Sequence, residues 1–192
     1  MKKLLIFAFL LCAKAVFAQK DTVGLNIPYI NSTVAYERVF NAPNATANIL
    51  YANAGIWLAE THPYGGGTTQ LTLNDPNLSR VLGRATYKYG ETNKILWNDN
   101  YWEVIINFTI QIDCKDNKYR VRIYNIQNQV GTINIPIEYM MQSFINGKSY
   151  PYNNTGGSMK TDELKQRFQA LNAVVDSVMT DINKGITEDN SF

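Results

Sequence analysis

Residues 102–126 read WEVIINFTIQIDCKDNKYRVRIYNI, and a strict alternation of apolar and polar side chains runs through the first half of this stretch. From Trp102 to Cys114 every even-numbered residue is apolar, and every odd-numbered residue except Ile105 is polar. A period of two sends successive side chains to opposite faces of an extended chain. The stretch therefore predicts a long antiparallel β-strand with one buried face and one solvated face.

The letters KDNK, residues 115–118, predict a tight turn from this strand into the next. Asp116 and Asn117 tolerate the positive φ angles that a two-residue hairpin loop requires. A shift of the pairing by one residue would bury Arg120 and Arg122, so the hydrophobic pattern selects a single register. The expected pairs are Cys114 with Tyr119, Ile112 with Val121, Ile110 with Ile123, Asp113 with Arg120, and Gln111 with Arg122.

A shorter strand and a helix are predicted ahead of the hairpin. Residues 34–40 form the strand, and Asn44 or Thr46 in the turn that follows caps the helix. The helix should end near Thr61, because a proline and three glycines come next. In the following strand Gly83 lies on the inner face and leaves room for a closely packed helix. The buried stripe of the helix consists of Leu50, Ala54, Trp57 and Leu58.

The chain after the hairpin is predicted to hold an extension and a terminal helix. The extension, residues 127–160, can add a strand before Pro136 and then forms a mobile loop. Thr161 caps a helix over 161–184, and Gly185 is a natural stop. The helix stripe is wider than a coiled-coil seam, which favours packing in the same chain over a homodimer through this helix. The stripe consists of Leu164, Phe168, Leu171, Val175, Val178 and Ile182.

Two of these stretches, ANILYANAGIWLAE at 47–60 and KDNKYRVRIYNI at 115–126, carry a family resemblance. Over residues 34–126 the chain resembles exported bacterial domains of unknown function that are described as having a TATA-binding-protein-like fold. The resemblance implies an α+β domain, with a curved antiparallel sheet backed by helices. It also implies a location in the periplasm or on the surface of a Gram-negative bacterium. It implies no activity, because a fold label carries no DNA binding with it.

The first 18 residues, MKKLLIFAFLLCAKAVFA, read as a secretory signal with a cleavage site after Ala18. The apolar run is half of the roughly 20 residues that span a bilayer, so no transmembrane anchor is expected. Leu11 stands before Cys12, where lipid attachment requires a small residue, and this disfavours a lipoprotein. Residues 19–33 are predicted to form an irregular leader to the domain.

The charge of the chain depends on this signal, which contains Lys2, Lys3 and Lys14. Without them 15 basic and 16 acidic side chains remain, so the net charge falls from +2 to −1. Nucleic-acid binding depends on neutralising phosphates with cationic side chains, and a near-neutral chain argues against it. Only Cys114 is left as a cysteine, so no internal disulfide is possible.

Three features could carry chemistry, and each has a simpler structural explanation. His62, the single histidine, lies two residues from Glu60, a weak metal-binding signal that favours an ordinary loop histidine. Gly65–Gly67 lack the lysine of a phosphate loop and are better explained as a flexible connection. Strand parity places Cys114 inside, where a thiol packs as a small apolar group. We therefore expect no catalytic residue, no metal site and no cofactor.

A binding surface is the remaining hypothesis for function. Trp97 lies in a polar, turn-like setting, and Arg122 and Tyr124 point to the outer face of the sheet, so these three residues form the predicted surface. The sequence favours a non-catalytic exported binding or scaffold module of the cell envelope. Its expected partner is an envelope protein, a peptide or a glycan. The alternative is a periplasmic enzyme, hydrolytic in kind, whose site is assembled from scattered polar residues.

Overall fold

The computed structural model describes residues 25–60, 68–95, 98–130, 133–151 and 158–187, with only the backbone described at 89–95, 98–104 and 130. Its centre is a six-stranded antiparallel sheet that has the strand order β3-β7-β6-β5-β4, with β8 also paired to β7. The strands of this sheet are β3 (Tyr36–Asn41), β4 (Thr68–Asp75), β5 (Arg80–Ile95), β6 (Asn98–Lys115), β7 (Lys118–Val130) and β8 (Ile133–Pro136).

The β6–β7 hairpin has the predicted register, and all five expected pairs are present. Asn117 adopts a φ of 64° in the turn, as a two-residue loop requires. Phe108 and Ile110 are buried on one face, while Asp113 binds Arg120 on the other. The alternation of side chains that defines the opening stretch is therefore the alternation of the folded sheet.

A β-bulge interrupts this register above the hairpin. Thr109 pairs with Tyr124, but Asn107 pairs with Gln127, so one extra residue is accommodated in β7. Asn125 supplies the turn of the backbone with a φ of 52°. The bulge reverses the parity of β7, and Ile126 therefore joins the buried side.

Helix α1 (Ala47–Ala59) packs on the inner face of the sheet with its four predicted stripe residues buried. The Thr46 hydroxyl accepts a hydrogen bond from the Ile49 N–H at 3.3 Å, which makes Thr46 the N-cap. Glu60 is the C-cap, one residue before the predicted end. A Cβ added to Gly83 would lie 2.5 Å from Leu58 Cδ2, so the helix does pack closely there.

The terminal helix, α3 (Thr161–Thr187), covers the rest of the inner face, and its apolar stripe is buried in its own chain. Thr161 is the first helical residue rather than the cap. The predicted stop at Gly185 is wrong, because the helix continues for two more residues. A Cβ at Gly185 would lie 2.4 Å from Trp57 Cδ1, so this glycine serves close helix packing.

Two segments contain more structure than predicted. The part of the leader that the structure describes is not irregular, because β1 (Tyr29–Ile30) and β2 (Thr33–Val34) form a small hairpin. In the extension, β8 forms before Pro136 as expected, but α2 (Ile137–Ile145) was not predicted. The Glu138 carboxylate accepts a hydrogen bond from the Val34 N–H at 3.0 Å and joins the two segments.

The predicted mobile loop falls largely outside the described residues. Residues 152–157 are not described, and the strands on either side of them, β9 (Tyr150–Pro151) and β10 (Ser158–Met159), pair with each other. Met159 is buried and belongs to the main core. The extension is thus anchored to the domain at both of its described ends.

Candidate functional site

The three helices all pack on one side of the sheet. Their contacts to it include Leu58 on Gly83, the Asn128 amide on Met140, and the Tyr119 hydroxyl on Asn183. The opposite side is covered by none of the described helices, and we call it the outer face. By strand register its described side chains include Glu37, Val39, Thr68, Gln70, Leu73, Asp75, Arg80, Leu82, Arg84, Thr86, Lys88, Asn107, Thr109, Gln111, Asp113, Lys115, Lys118, Arg120, Arg122, Tyr124 and Gln127.

Asp113 is the centre of an ion-pair network on the outer face. Its carboxylate accepts hydrogen bonds from Arg80, from Arg120 at 2.8 Å and from Gln111 at 2.8 Å. Burial alone would raise the pKa of Asp113, but these hydrogen bonds outweigh that effect and hold its pKa below the usual value. The network satisfies Gln111, which is the one buried polar residue of the outer face. Asp113 is therefore locked in its charged form and acts as structural support.

Arg122 and Tyr124 lie side by side next to this network. The guanidinium carbon of Arg122 is 5.1 Å from the centroid of the Tyr124 ring, within the range of a cation–π contact. Both side chains are half-buried. Among the described residues Arg122 forms no ion pair, because Glu37, its neighbour in the register, instead approaches Arg120 at 3.7 Å. Arg122 thus keeps its charge available at a fixed position.

Arg84 completes this site, although sequence reasoning did not include it. It pairs with Thr109 of β6, and Thr109 pairs in turn with Tyr124 of β7, so Arg84, Thr109 and Tyr124 form one row across three strands. Arg84 is exposed and also forms no ion pair with a described carboxylate. Parity places Arg84 on the outer face, but only the register of β5 against β6 aligns it with Tyr124.

The other predicted site residues have different outcomes. Trp97 lies outside the described residues, as do His62 and Gly65–Gly67, so the structure brings together only Arg122 and Tyr124 of the predicted surface. Cys114 is buried, as predicted, and burial raises the pKa of its thiol to about 12, with a smaller contribution from Asp113. A thiol with this pKa is protonated at neutral pH and is a poor nucleophile.

A metal centre would require several ligating side chains close together. The described residues contain no group of three or more histidine, cysteine, aspartate or glutamate side chains that could hold a metal ion. A cavity of about 30 Å³ lies where Trp57 and Asp181 meet the sheet, and it has space for little more than a water molecule. The outer face is therefore the surface on which the described polar side chains converge.

Comparison with known proteins agrees with this architecture. Residues 36–129 match the family profile of a "Domain of unknown function (DUF4468) with TBP-like fold". A DUF4468 family protein from Bacteroides ovatus superposes with a TM-score of 0.64 at 14% identity, covering 88% of this chain and 95% of that chain. A TBP-like protein from Parabacteroides distasonis gives a TM-score of 0.56 at 16% identity, covering 84% of this chain and 97% of that chain.

The search of curated proteins found no match. At these identities the two solved structures establish the fold alone. The antiparallel sheet, the helices on its inner face and the matched sequence profile agree with one another. The segment from residue 36 to residue 129 therefore belongs to the DUF4468 family of domains of unknown function with a TBP-like fold.

Proposed function

We propose that this protein is a non-catalytic, exported module of the cell envelope that binds an acidic glycan on its outer face. The observation that carries the proposal is a pair of arginines close to Tyr124. Arg84 lies in the same row across the strands as Tyr124, and Arg122 contacts the Tyr124 ring. Neither arginine forms an ion pair with a described carboxylate. Guanidinium groups bind carboxylates in a bidentate manner, so both are suited to an acidic ligand.

The charge balance of the outer face supports an anionic ligand. Among its described side chains the cations outnumber the anions, and Asp113 is already neutralised by two arginines. The chain without its signal has a slight net negative charge, so this positive surface is local and not a consequence of overall composition. Among the described side chains of this face the cations are Arg80, Arg84, Lys88, Lys115, Lys118, Arg120 and Arg122, and the anions are Glu37, Asp75 and Asp113.

The polar groups between the charges support a glycan over a protein partner. Protein interfaces usually have an apolar centre that is depleted of charge. The middle of the outer face instead presents amides and hydroxyls, including Thr86, whose hydroxyl donates to Asn107 at 2.8 Å. Such groups suit the many hydroxyls of a sugar chain, while the exposed edge of Tyr124 offers an aromatic contact to a ring.

The absence of catalysis is proposed from the state of the titratable groups. An acid–base catalyst requires a pKa close to the working pH. Among the described residues the pKa of Asp113 is lowered and the pKa of Cys114 is raised, and both changes lead away from neutral pH.

Export is proposed from the signal-like sequence of residues 1–18. No described helix has the length and apolar character needed to cross a membrane.

The test uses the chain from residue 19 onward and polygalacturonic acid as the probe, with its methyl ester as the uncharged control. We expect binding to the acid form only, and a decrease as salt concentration rises. Arg84→Ala and Arg122→Ala should each weaken binding by about tenfold, which corresponds to ~1.4 kcal/mol for one lost charged hydrogen bond. Arg38→Ala is the matched control, because Arg38 lies at the inner edge and pairs with Asp176.

Three outcomes would count against this function. Equal binding of the acid and the methyl ester would remove the role of charge. Unchanged binding by the double arginine variant would exclude the outer face. Binding of poly-glutamate without binding of any acidic glycan would assign the same arginines to an acidic protein segment.

A further inference from the structure

Helix α1 has an apolar surface that the fold does not use. No residue from Ala47 to Ala59 carries a charge, and the side of the helix that faces away from the sheet presents isoleucine and alanine side chains as well as Asn48. Ile49 and Ile56 are 53% and 47% exposed, and Ala52 and Ala59 extend the same stripe. A helix on the surface of a globular protein normally presents polar side chains to water. This second stripe therefore requires a separate explanation.

The stripe forms one wall of a groove at the edge of the sheet, which we call the edge groove. Its volume is about 290 Å³, and it is open to solvent on one side. Leu71 and Asn74, which are inward-facing side chains of β4, form the other wall. The lining residues are Tyr51, Ala52, Gly55, Ile56, Ala59, Leu71 and Asn74.

The strand beside the groove has unused hydrogen-bonding capacity. β4 is the last strand in the sheet order, and among the described residues it pairs only with β5. Its second edge therefore presents backbone N–H and C=O groups that no described strand pairs with. A strand added alongside β4 would bond to these groups and would direct every second side chain into the edge groove.

Gly55 lies on the floor of the groove, and no described residue packs closely against this position. A Cβ added to Gly55 would meet no atom within 4 Å, whereas one added to Gly83 or Gly185 would clash with a buried side chain. A glycine inside a helix destabilises it relative to alanine. The fold thus retains an unfavourable residue whose only visible effect is to keep the groove open.

We propose that the edge groove binds an extended polypeptide segment of a partner protein, which adds to β4 as a further strand. The backbone edge selects a polypeptide, and the apolar walls select aliphatic side chains at alternate positions. The only charged residues in 41–60 and 68–79 are Glu60 and Asp75, one near each end of β4, and they select lysine or arginine at the ends of the segment. A second copy would bring its own acids to this edge and lacks that complementarity. This surface lies on the inner side of β4 and shares only Asp75, at the end of that strand, with the outer face.

The experiment selects a displayed library of random dodecapeptides on the chain from residue 19 onward, with counter-selection on Gly55→Leu. The leucine side chain fills the groove and is compatible with a helix. We expect the enriched peptides to alternate aliphatic and polar residues between basic ends. Their affinity should fall at least tenfold for Gly55→Leu, and backbone amide shifts should change along β4. The Arg84→Ala, Arg122→Ala double variant should bind them like the unmodified chain, which separates this site from the glycan surface.

Each alternative outcome overturns the proposal. The edge groove is not a peptide site if no sequence pattern is enriched, or if the enriched peptides bind Gly55→Leu as tightly as the unmodified chain. Sedimentation equilibrium tests self-association in the same samples. A dimer that Gly55→Leu dissociates would show that the occupant is a second copy. Circular dichroism of Gly55→Leu should retain the helical signal, so that a loss of binding cannot be attributed to unfolding.

Discussion

Gly185→Ala tests the contact between α1 and α3 that decides how the two helices lie on the sheet. The substitution adds one methyl group inside α3, in a position where a Cβ would lie 2.4 Å from Trp57 Cδ1 and 3.2 Å from Trp57 Nε1. The Trp57 ring is rigid and almost fully buried, and its Nε1–H donates to Asp181 at 3.2 Å. The cavity beside the ring is only about 30 Å³, so the ring has little space in which to move.

Two opposing effects set the magnitude. Alanine is favoured over glycine inside a helix by about 1 kcal/mol. Overpacking of a core by one carbon atom costs about 1 to 3 kcal/mol when rigid groups must shift. We expect the cost of overpacking to exceed the gain in helix propensity, because the ring is buried and hydrogen-bonded. The free energy of unfolding should therefore fall by about 1 kcal/mol.

Urea unfolding followed by circular dichroism measures this change, and a double-mutant cycle with Trp57→Leu isolates its cause. In the Trp57→Leu background the methyl group has space, so Gly185→Ala should be neutral or stabilising by up to about 1 kcal/mol. If Gly185→Ala stabilises the chain equally in both backgrounds, the close approach of the two helices at this point is not real. The effect of the substitution would then come only from the higher helix propensity of alanine.

Three further predictions concern other parts of the described chain. Gly55→Ala should raise the free energy of unfolding by up to about 1 kcal/mol, because its Cβ meets open space; a destabilised variant would refute the open groove floor. Asp113→Asn should lower stability at pH 7 by about 1 to 2 kcal/mol. The pKa of Asp113 is lower in the folded chain than the unfolded value of 3.8, so its stabilisation is present above pH 3.8 and is lost as the pH falls below that value. The free energy of unfolding of Asp113→Asn should therefore decrease less steeply with acidification than that of the unmodified chain. The Cys114 thiol, whose pKa is raised to about 12, should not react with a thiol reagent at pH 8 until urea unfolds the chain, and fast labelling of the native chain would contradict its burial.

The central hairpin could be predicted because its information is local. Asp116 and Asn117 set the loop, and the alternation on both arms allows only one register that buries no arginine. The same reasoning identified the α1 stripe and its cap, since both depend on spacings of three and four residues. Gly83 was correctly placed opposite a helix from strand parity alone.

Helix α2 was missed although its spacing was visible. Ile137, Met140, Met141 and Phe144 recur at helical intervals and are all buried, but Pro136 suggested a break instead of a helix start. Proline is common where a helix begins, because the first backbone N–H groups need no partner within the helix. The leader hairpin had no such pattern, since its strands are only two residues long.

Half of the candidate site was accessible from the sequence. Parity placed Arg122 and Tyr124 on the outer face, and their ring contact follows from a spacing of two on one strand. Arg84 could not be added, because its row depends on how β5 aligns with β6, and the turn-like setting of Trp97 does not specify that alignment. The edge groove could not be predicted either, because it forms between helix α1 and strand β4, and no sequence pattern specifies how these two elements lie beside each other.

The sequence by itself determined which residues of the central hairpin, α1 and α3 are buried, because the periods of strands and helices convert spacing into a face. Only the tertiary structure decided which surfaces are left without a cover. The free outer face and the apolar groove beside β4 are properties of strand order and helix placement, and these depend on contacts between distant segments. The periodicity of a segment shows which of its side chains face inward or outward, but it does not show which distant residues those side chains contact.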